Sequence, residues 1–265
     1  MKKLISLILV LSILLCSFAC AEDLLETIRQ RGTIIVAMEG CWAPWTYHDD
    51  QNDDILTGFD VEVANAIAAK LGVTVKFEEC PWDGIFAGLD AGRYDIAVNG
   101  IDYTEERAEN FRLTAPYTFN RTVLIVRGDN TDITCFEDLK GKKTANTISS
   151  TYAALTESYG ATTTAVDDLE QTIELVLMGR VDATANAEVS YFDYLVVHPE
   201  ADIKVVDKTE EADSVVVAMR LTDDTATLAD AISAAIAELR EEGVLGELAI
   251  KYFGSDTTVV PGTEE

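Results

Sequence analysis

Arg107 lies three residues after Thr104, which places its guanidinium in the first turn of a helix that the Thr104 hydroxyl can cap. A guanidinium fork beside the free N–H groups of a helix start suits a carboxylate. The plainer alternative is a surface arginine paired with Glu105 or Glu109. Ser149, Ser150 and Thr151 open a second predicted helix. One of their hydroxyls suffices as a cap, so the others are free to meet a carboxylate clamped from the opposite side. Trp42 and Trp82 each follow a strand-like run, where pockets form in α/β sheets, and would supply contact area there rather than charge. Core packing is the competing reading for both, and Trp45 is read as core. Asn99, Gly100 and Asn186, at the ends of two matching strands, complete the candidate ligand-binding set.

No catalytic, cofactor or metal set emerges beside it. His48 and His198 find no serine or cysteine to activate, and there is no phosphate loop. Cys41, Cys80 and Cys135 lack metal-ligand spacing. Cys41 and Cys80 either pair as a disulfide or remain small apolar side chains. The run Asp49-Asp50-Gln51-Asn52-Asp53-Asp54 lacks the glycine and glutamate of a calcium loop and reads as a solvated hairpin tip.

The elements that would hold these residues alternate strand and helix. A buried strand spans Thr33 to Met38, a helix Gly58 to Leu71 stopped by Gly72, and a strand Val73 to Phe77. A short helix from Trp82 closes at Gly92, and Asp95 to Asn99 returns as a strand. The pattern recurs as strand Thr144 to Asn146, helix Thr151 to Tyr159, strand Thr162 to Val166 and a helix over Leu169 to Leu177 stopped by Gly179. Gly92-Arg93-Tyr94-Asp95 through Asn99 is echoed by Gly179-Arg180-Val181-Asp182 through Asn186, which implies two similar α/β lobes. The apolar runs Thr122 to Val126 and Ser214 to Met219 bracket the second lobe, and a helix from Thr225 to Arg240 follows. The chain thus leaves the first lobe, builds the second and comes back, giving a two-strand hinge with the cleft at the carboxyl ends of the sheets.

Residues 1–21, with Lys2 and Lys3, an apolar run and Ala19-Cys20-Ala21, have the layout of a secretory signal peptide; Cys20 also permits a lipid anchor. No later apolar stretch reaches the roughly 18 residues of a membrane span. The expected product is exported, periplasmic or at the cell surface, and monomeric. Without the leader, 18 basic side chains face 47 acidic ones, a charge of about −29 that excludes nucleic acid as a partner.

Six segments then occur in series: Glu39-Gly40-Cys41-Trp42-Ala43-Pro44-Trp45, Gly58-Phe59-Asp60, Pro81-Trp82-Asp83-Gly84, Thr104-Glu105-Glu106-Arg107-Ala108, Ala115-Pro116-Tyr117 and Glu137-Asp138-Leu139-Lys140-Gly141-Lys142. In order and spacing they resemble the polar amino-acid-binding proteins of ABC transporters, solute-binding protein family 3, over nearly the whole chain after the leader. The Glu-Gly and Trp-Asp-Gly segments look most like the cystine-binding members. The resemblance implies a type II periplasmic-binding-protein fold. Its first lobe would be residues 22–124 with 218–255, its second 125–217 and its tail 256–265. It also implies capture of a free amino acid or cystine for the permease of an ABC importer, with Arg107 on the α-carboxylate and Trp42 and Trp82 around the side chain. Where relatives place an aspartate for the ammonium, this chain has Ala187, and where they place serine or threonine it has Asp102. The ammonium partner is therefore expected at Asp102, with Glu188 and Glu39 as competing anions. If Asp102 only caps the Thr104 helix, the role falls to Glu188. A dehydratase-like enzyme of the same fold, using Glu188 as acid or base, and an amino-acid sensor domain are the alternatives.

Overall fold

The computed structural model describes residues 23–259, so the signal peptide and the last residues of the tail lie outside the described residues. Two five-stranded sheets carry the chain. In the first, Thr33–Met38 lies between Thr74–Glu79 and Ile96–Ala97, all parallel. Ala218–Arg220 then pairs antiparallel with Ile96–Ala97 and with Phe111–Leu113. In the second, Lys143–Asn146 lies parallel between Thr162–Ala165 and Ala183–Ala187. Thr122–Arg127 then runs antiparallel to Ala183–Ala187 and to Ile203–Lys208. Each sheet is mostly parallel, with one opposed strand, and in each that strand is the one by which the chain arrives from the other lobe.

The repeated Gly-Arg-x-Asp segments do the same work in both lobes. Asp95 accepts from the backbone N–H of Ile35 at 2.6 Å, and Asp182 from that of Lys143 at 2.8 Å. Each carboxylate ties the start of its strand to the neighbouring one, so the two strand ends that bear Asn99 and Asn186 reach equivalent places.

Val123, Leu124, Ile125 and Val126 are all buried, Val123 and Ile125 in one apolar cluster and Leu124 and Val126 in another, so the strand is packed on both faces. The second apolar run behaves differently. Instead of one strand over Ser214 to Met219, Asp213–Val215 pairs with Thr118–Asn120 in a separate two-stranded ribbon, and Ala218–Arg220 joins the first sheet. Val216 and Val217 lie between, where the backbone changes partners, and the Val216 N–H donates to Ile101 O at 2.8 Å. The ribbon is the connection between the sheets. Thr257 extends it, its carbonyl accepting from Phe119 N at 2.9 Å.

Helix Phe59–Leu71 turns Val63, Ala64, Ile67 and Leu71 toward helix Ala226–Glu241, which answers with Leu228, Ile232 and Ile236. Full burial of each large aliphatic side chain is worth about 1.5–3 kcal/mol. Gly72, at φ 78°, ends the first helix, where a left-handed residue is required. Helices Leu24–Arg31, Glu188–Val197 and Val244–Phe253 were not anticipated; the last packs Phe253 against Trp45 and Phe59. Asp49 to Asp54 is the exposed tip of a hairpin, as read. Cys41, Cys80 and Cys135 are all free; Cys41 is exposed and the other two half-buried.

Asp60, in the first turn of helix Phe59–Leu71, is completely buried. It accepts from Tyr117 Oη at 2.8 Å and from the Gly100 N–H at 2.6 Å. Tyr117→Phe leaves one of its oxygens without a partner and should destabilise the fold by about 1–3 kcal/mol, read as a lower urea midpoint. An unchanged midpoint would show that the bond contributes nothing.

Candidate functional site

The carboxyl ends of both sheets face one another, and a cavity lies between them with about 50 Å³ open to the centre of a water molecule. From the first lobe its wall takes Glu39, Trp42, Trp82, Gly100 and Asp102; from the second, Ser150, Thr151 and Asn186. Eight of the twelve predicted site residues therefore share one surface.

Asp102 follows the short strand Ile96–Ala97 and is held to the ribbon on both sides. The Tyr103 N–H donates to Ser214 O at 2.7 Å, and Ile101 O accepts from Val216 N. The carboxylate does not cap the next helix; Thr104 does, accepting from the Arg107 N–H at 3.1 Å. Instead Asp102 Oδ2 accepts from Thr151 Oγ1 of the opposite lobe at 2.5 Å, and the buried Oδ1 has no hydrogen-bond partner. Burial, reinforced by Asp213 and opposed by Thr151 and Arg107, raises its pKa to about 7.

Glu39 ends the first strand, half-buried. Its carboxylate accepts from Asn99 Nδ2 at 2.7 Å, and its N–H donates to Asn99 Oδ1 at 2.7 Å. Burial pushes it to about 7 against the Asn99 bond, with Asp168 and Asp83 adding to the rise. Asn99 is thus the brace behind Glu39 and is fully buried.

Trp42 packs on Trp45 with ring centroids 5.3 Å apart, and Trp45 is core as read. Trp42 Nε1 donates across the cleft to Asn186 Oδ1 at 3.3 Å. Gly100, at φ 53°, lies beneath this ring: a Cβ there would stand 2.5 Å from Trp42 Cζ3.

Arg107 is not on the surface pairing with Glu105 or Glu109. Its Nη1 donates to Asp102 O at 2.8 Å, and its guanidinium lies 5.3 Å and 5.2 Å from the Trp82 and Phe86 ring centroids. It lines a second depression with Ser149, Ser150 and Thr151, which adjoins the cavity through the latter two residues. Ser150 is the helix cap, accepting from Ala153 N at 3.1 Å. That leaves Ser149 to donate to Asp83 across the lobes at 2.5 Å and Thr151 to donate to Asp102. Both lie beyond the cap's duties, as the triplet implied.

Glu188 is not brought into the cavity. It begins helix Glu188–Val197 on the far side of Ala187, and its carboxylate lies 3.3 Å from Lys208 Nζ, in a depression beside the ribbon. Asn146, Thr147, Tyr152 and Asp168 line the cavity but were missed from sequence. Asn146 and Thr147 stand at the carboxyl end of a strand that had been recognised, so the rule placing the cleft at strand ends would have found them. Asp168 caps helix Leu169–Leu177, accepting from Gln171 N at 2.8 Å, which looks in sequence like ordinary capping.

Among the described residues no group of three or more His, Cys, Asp and Glu side chains is arranged to hold a metal ion, and no helix is long and apolar enough to cross a membrane.

Residues 34–255 match the family described as bacterial extracellular solute-binding proteins, family 3. A probable amino-acid ABC transporter-binding protein of Haemophilus influenzae is 34% identical over 97% of this chain and 100% of its own length. An L-cystine-binding protein of Bacillus subtilis is 34% identical over 89% of this chain and 87% of its own. Among solved structures, an ancestral arginine-binding protein bound to arginine superposes with a TM-score of 0.78 at 30% identity, covering 84% of this chain and 99% of that one. The L-cystine solute receptor of Neisseria gonorrhoeae, unliganded and open, reaches 0.60 at 38% identity, covering 89% and 99%. The more identical chain superposes less well. Its lobes stand open, whereas here three hydrogen bonds join them across the cleft.

Asp60, Asp102 and Glu39 each titrate near 7 in the folded protein, against about 4 for unfolded carboxyls. The folded state then holds protons that the unfolded state has released, so stability falls as pH rises from about 4 to 7. The thermal midpoint without ligand should be higher at about pH 5.5 than at pH 8, and Asp102→Asn should flatten part of the slope. Equal midpoints would mean that these carboxylates are ionised throughout.

Proposed function

The chain belongs to the bacterial extracellular solute-binding proteins of family 3, and from that membership we propose that it is exported, closes around a free amino acid and delivers it to the permease of an ABC importer. The observation that carries this reading is the Asp102–Arg107 pair. Asp102 leaves a buried carboxylate oxygen without a partner where the two lobes meet, and the Arg107 guanidinium, bonded to the Asp102 backbone carbonyl, lines the adjoining depression. An amino acid bears its ammonium and carboxylate on one carbon, and adjacent opposite charges are what such a group needs.

In this reading Asp102 Oδ1 receives the ammonium. Arg107, which lines the adjoining depression, takes the carboxylate at its mouth. Asp102 is preferred to Glu39 because its Oδ1 is buried with no hydrogen-bond partner, whereas the Glu39 carboxylate already accepts one bond, from Asn99. Trp42 and Trp82 enclose the side chain. The lobes are the bodies built on the two sheets, the second entered by strand Thr122–Arg127 and the first re-entered by Ala218–Arg220, and the ribbon Thr118–Asn120 with Asp213–Val215 takes up the motion between them. Enclosure from both sides is a physical requirement: micromolar binding of a ligand of about ten heavy atoms needs roughly −0.8 kcal/mol per atom, more than an open groove supplies. The relatives named as cystine- and arginine-binding support an amino acid as the solute. The enzymatic alternative rested on Glu188, whose carboxylate is engaged by Lys208 outside the cavity.

A thermal-shift screen against the common amino acids and cystine should raise the midpoint with one or a few of them. For the ligand so found, Arg107→Ala and Asp102→Asn should each weaken affinity on the order of 100-fold by calorimetry, with the far-ultraviolet circular dichroism unchanged. Retained affinity in either variant would refute the role given to that residue, and a flat screen would refute the amino-acid reading.

A further inference from the structure

The cavity wall carries more negative charge than a bare amino-acid zwitterion can use. Asp102 and Arg107 are accounted for by the ammonium and carboxylate that all amino acids share. Glu39 and Asp168 remain, and no lysine, arginine or histidine lines the same cavity. They come from opposite lobes, Glu39 from the end of the first strand and Asp168 from the cap of helix Leu169–Leu177, so closing the cleft brings two like charges together. Asp168 helps raise Glu39, and the Cys41 thiol, which also lines the cavity, is pushed up to about 12 by desolvation and then by Glu39, Asp168 and Glu79. The remaining wall is aromatic, with Trp42, Trp82 and Tyr152 offering ring faces and edges around the same space. Carboxylates beside aromatic rings are the two surfaces that attract a cation.

We propose, resting on the amino-acid reading above, that the solute is an amino acid whose side chain ends in a cationic nitrogen group, held between Glu39 and Asp168 against the tryptophan rings. The cation relieves the repulsion between the two lobes, so closure is favoured by this class of ligand and opposed with others. A ligand that ends in a carboxylate alone, glutamate for example, would bring another negative charge to this end of the cavity with no basic residue in the wall to meet it, and in cystine the second carboxylate offsets what the second ammonium gains.

Calorimetric titration of the purified chain with L-arginine, L-lysine, L-ornithine, L-citrulline, L-glutamine and L-cystine decides this. Citrulline matches arginine in shape without its charge. At least one of the three cationic ligands should bind about tenfold or more tightly than citrulline, glutamine and cystine, the effect of one well-formed charge contact. Glu39→Gln should bring the ratio of cationic to neutral affinity toward one. Should that variant fail to fold, Asp168→Asn, which keeps a capping side chain, should lower the same ratio. Tight binding of cystine or glutamine with no preference for a cation would overturn this inference and leave the amino-acid reading standing. Absence of binding by every amino acid would overturn both.

Discussion

A buried carboxylate at the start of one helix sets the geometry of everything that faces the cleft. Asp60 has no exposure and two donors, the Tyr117 hydroxyl and the Gly100 N–H. Tyr117 leads directly into the ribbon that joins the lobes, and Gly100 is the floor on which the Trp42 ring rests. One side chain therefore holds helix Phe59–Leu71, the entry to the ribbon and the base of the site in a single register. Burial without a cationic partner raises its pKa, so the bond network works with a carboxyl poised near neutrality rather than with a solvated anion. The adjoining aromatic cluster of Trp45, Phe59 and Phe253 keeps water away from this point.

From that anchor the site is built outward across two bodies. The first lobe presents Glu39 and Asp102, the latter pinned to the ribbon by backbone bonds on either side, while the second presents hydroxyls and amides together with Asp168. Three side-chain hydrogen bonds span the gap: Trp42 to Asn186, Thr151 to Asp102 and Ser149 to Asp83. Each contributes on the order of 1 kcal/mol net, the usual value when water is the alternative partner. Bonds of that size guide closure without locking it, which suits a protein that must release its solute. Because Asp102 is tied to Ser214 and Val216 in the return strand, movement at the ribbon and the position of the charged floor are mechanically coupled. With Asp102 as the proposed recognition residue, its place beside the ribbon would let the ligand's charge act on the equilibrium between the states.

Much of the fold was legible because local patterns dictate it. The strand Thr33–Met38, the helix stopped by Gly72 and the helix stopped by Gly179 follow from hydrophobic period and glycine caps, and the structure places them within a residue or two of the reading. The echo of Gly92 through Asn99 in Gly179 through Asn186 proved to be a shared hydrogen bond that Asp95 and Asp182 each accept from the backbone of a neighbouring strand. The run Ser214 to Met219 was read as one strand because apolar period cannot tell which sheet a residue joins, and the break at Val216 is a change of partner.

At the site, residue types near strand ends and helix starts identified Glu39, Trp42, Trp82, Gly100, Asp102, Ser150, Thr151 and Asn186 from sequence alone, because chain connectivity forces those positions to the carboxyl side of a parallel sheet. Sequence also determined the acidic balance and the family. Tertiary structure alone decided which acids meet. Glu188 and Asp168 are both acidic residues at helix starts in the second lobe, indistinguishable by local pattern, yet one faces Lys208 and the other the cavity. The same holds for Arg107, whose guanidinium is set behind Trp82 rather than in the solvent. The physical reason is that side-chain partnership depends on how two sheets face each other across a gap, a relation between residues more than forty positions apart, such as Asp102 and Thr151, that no local period or spacing encodes.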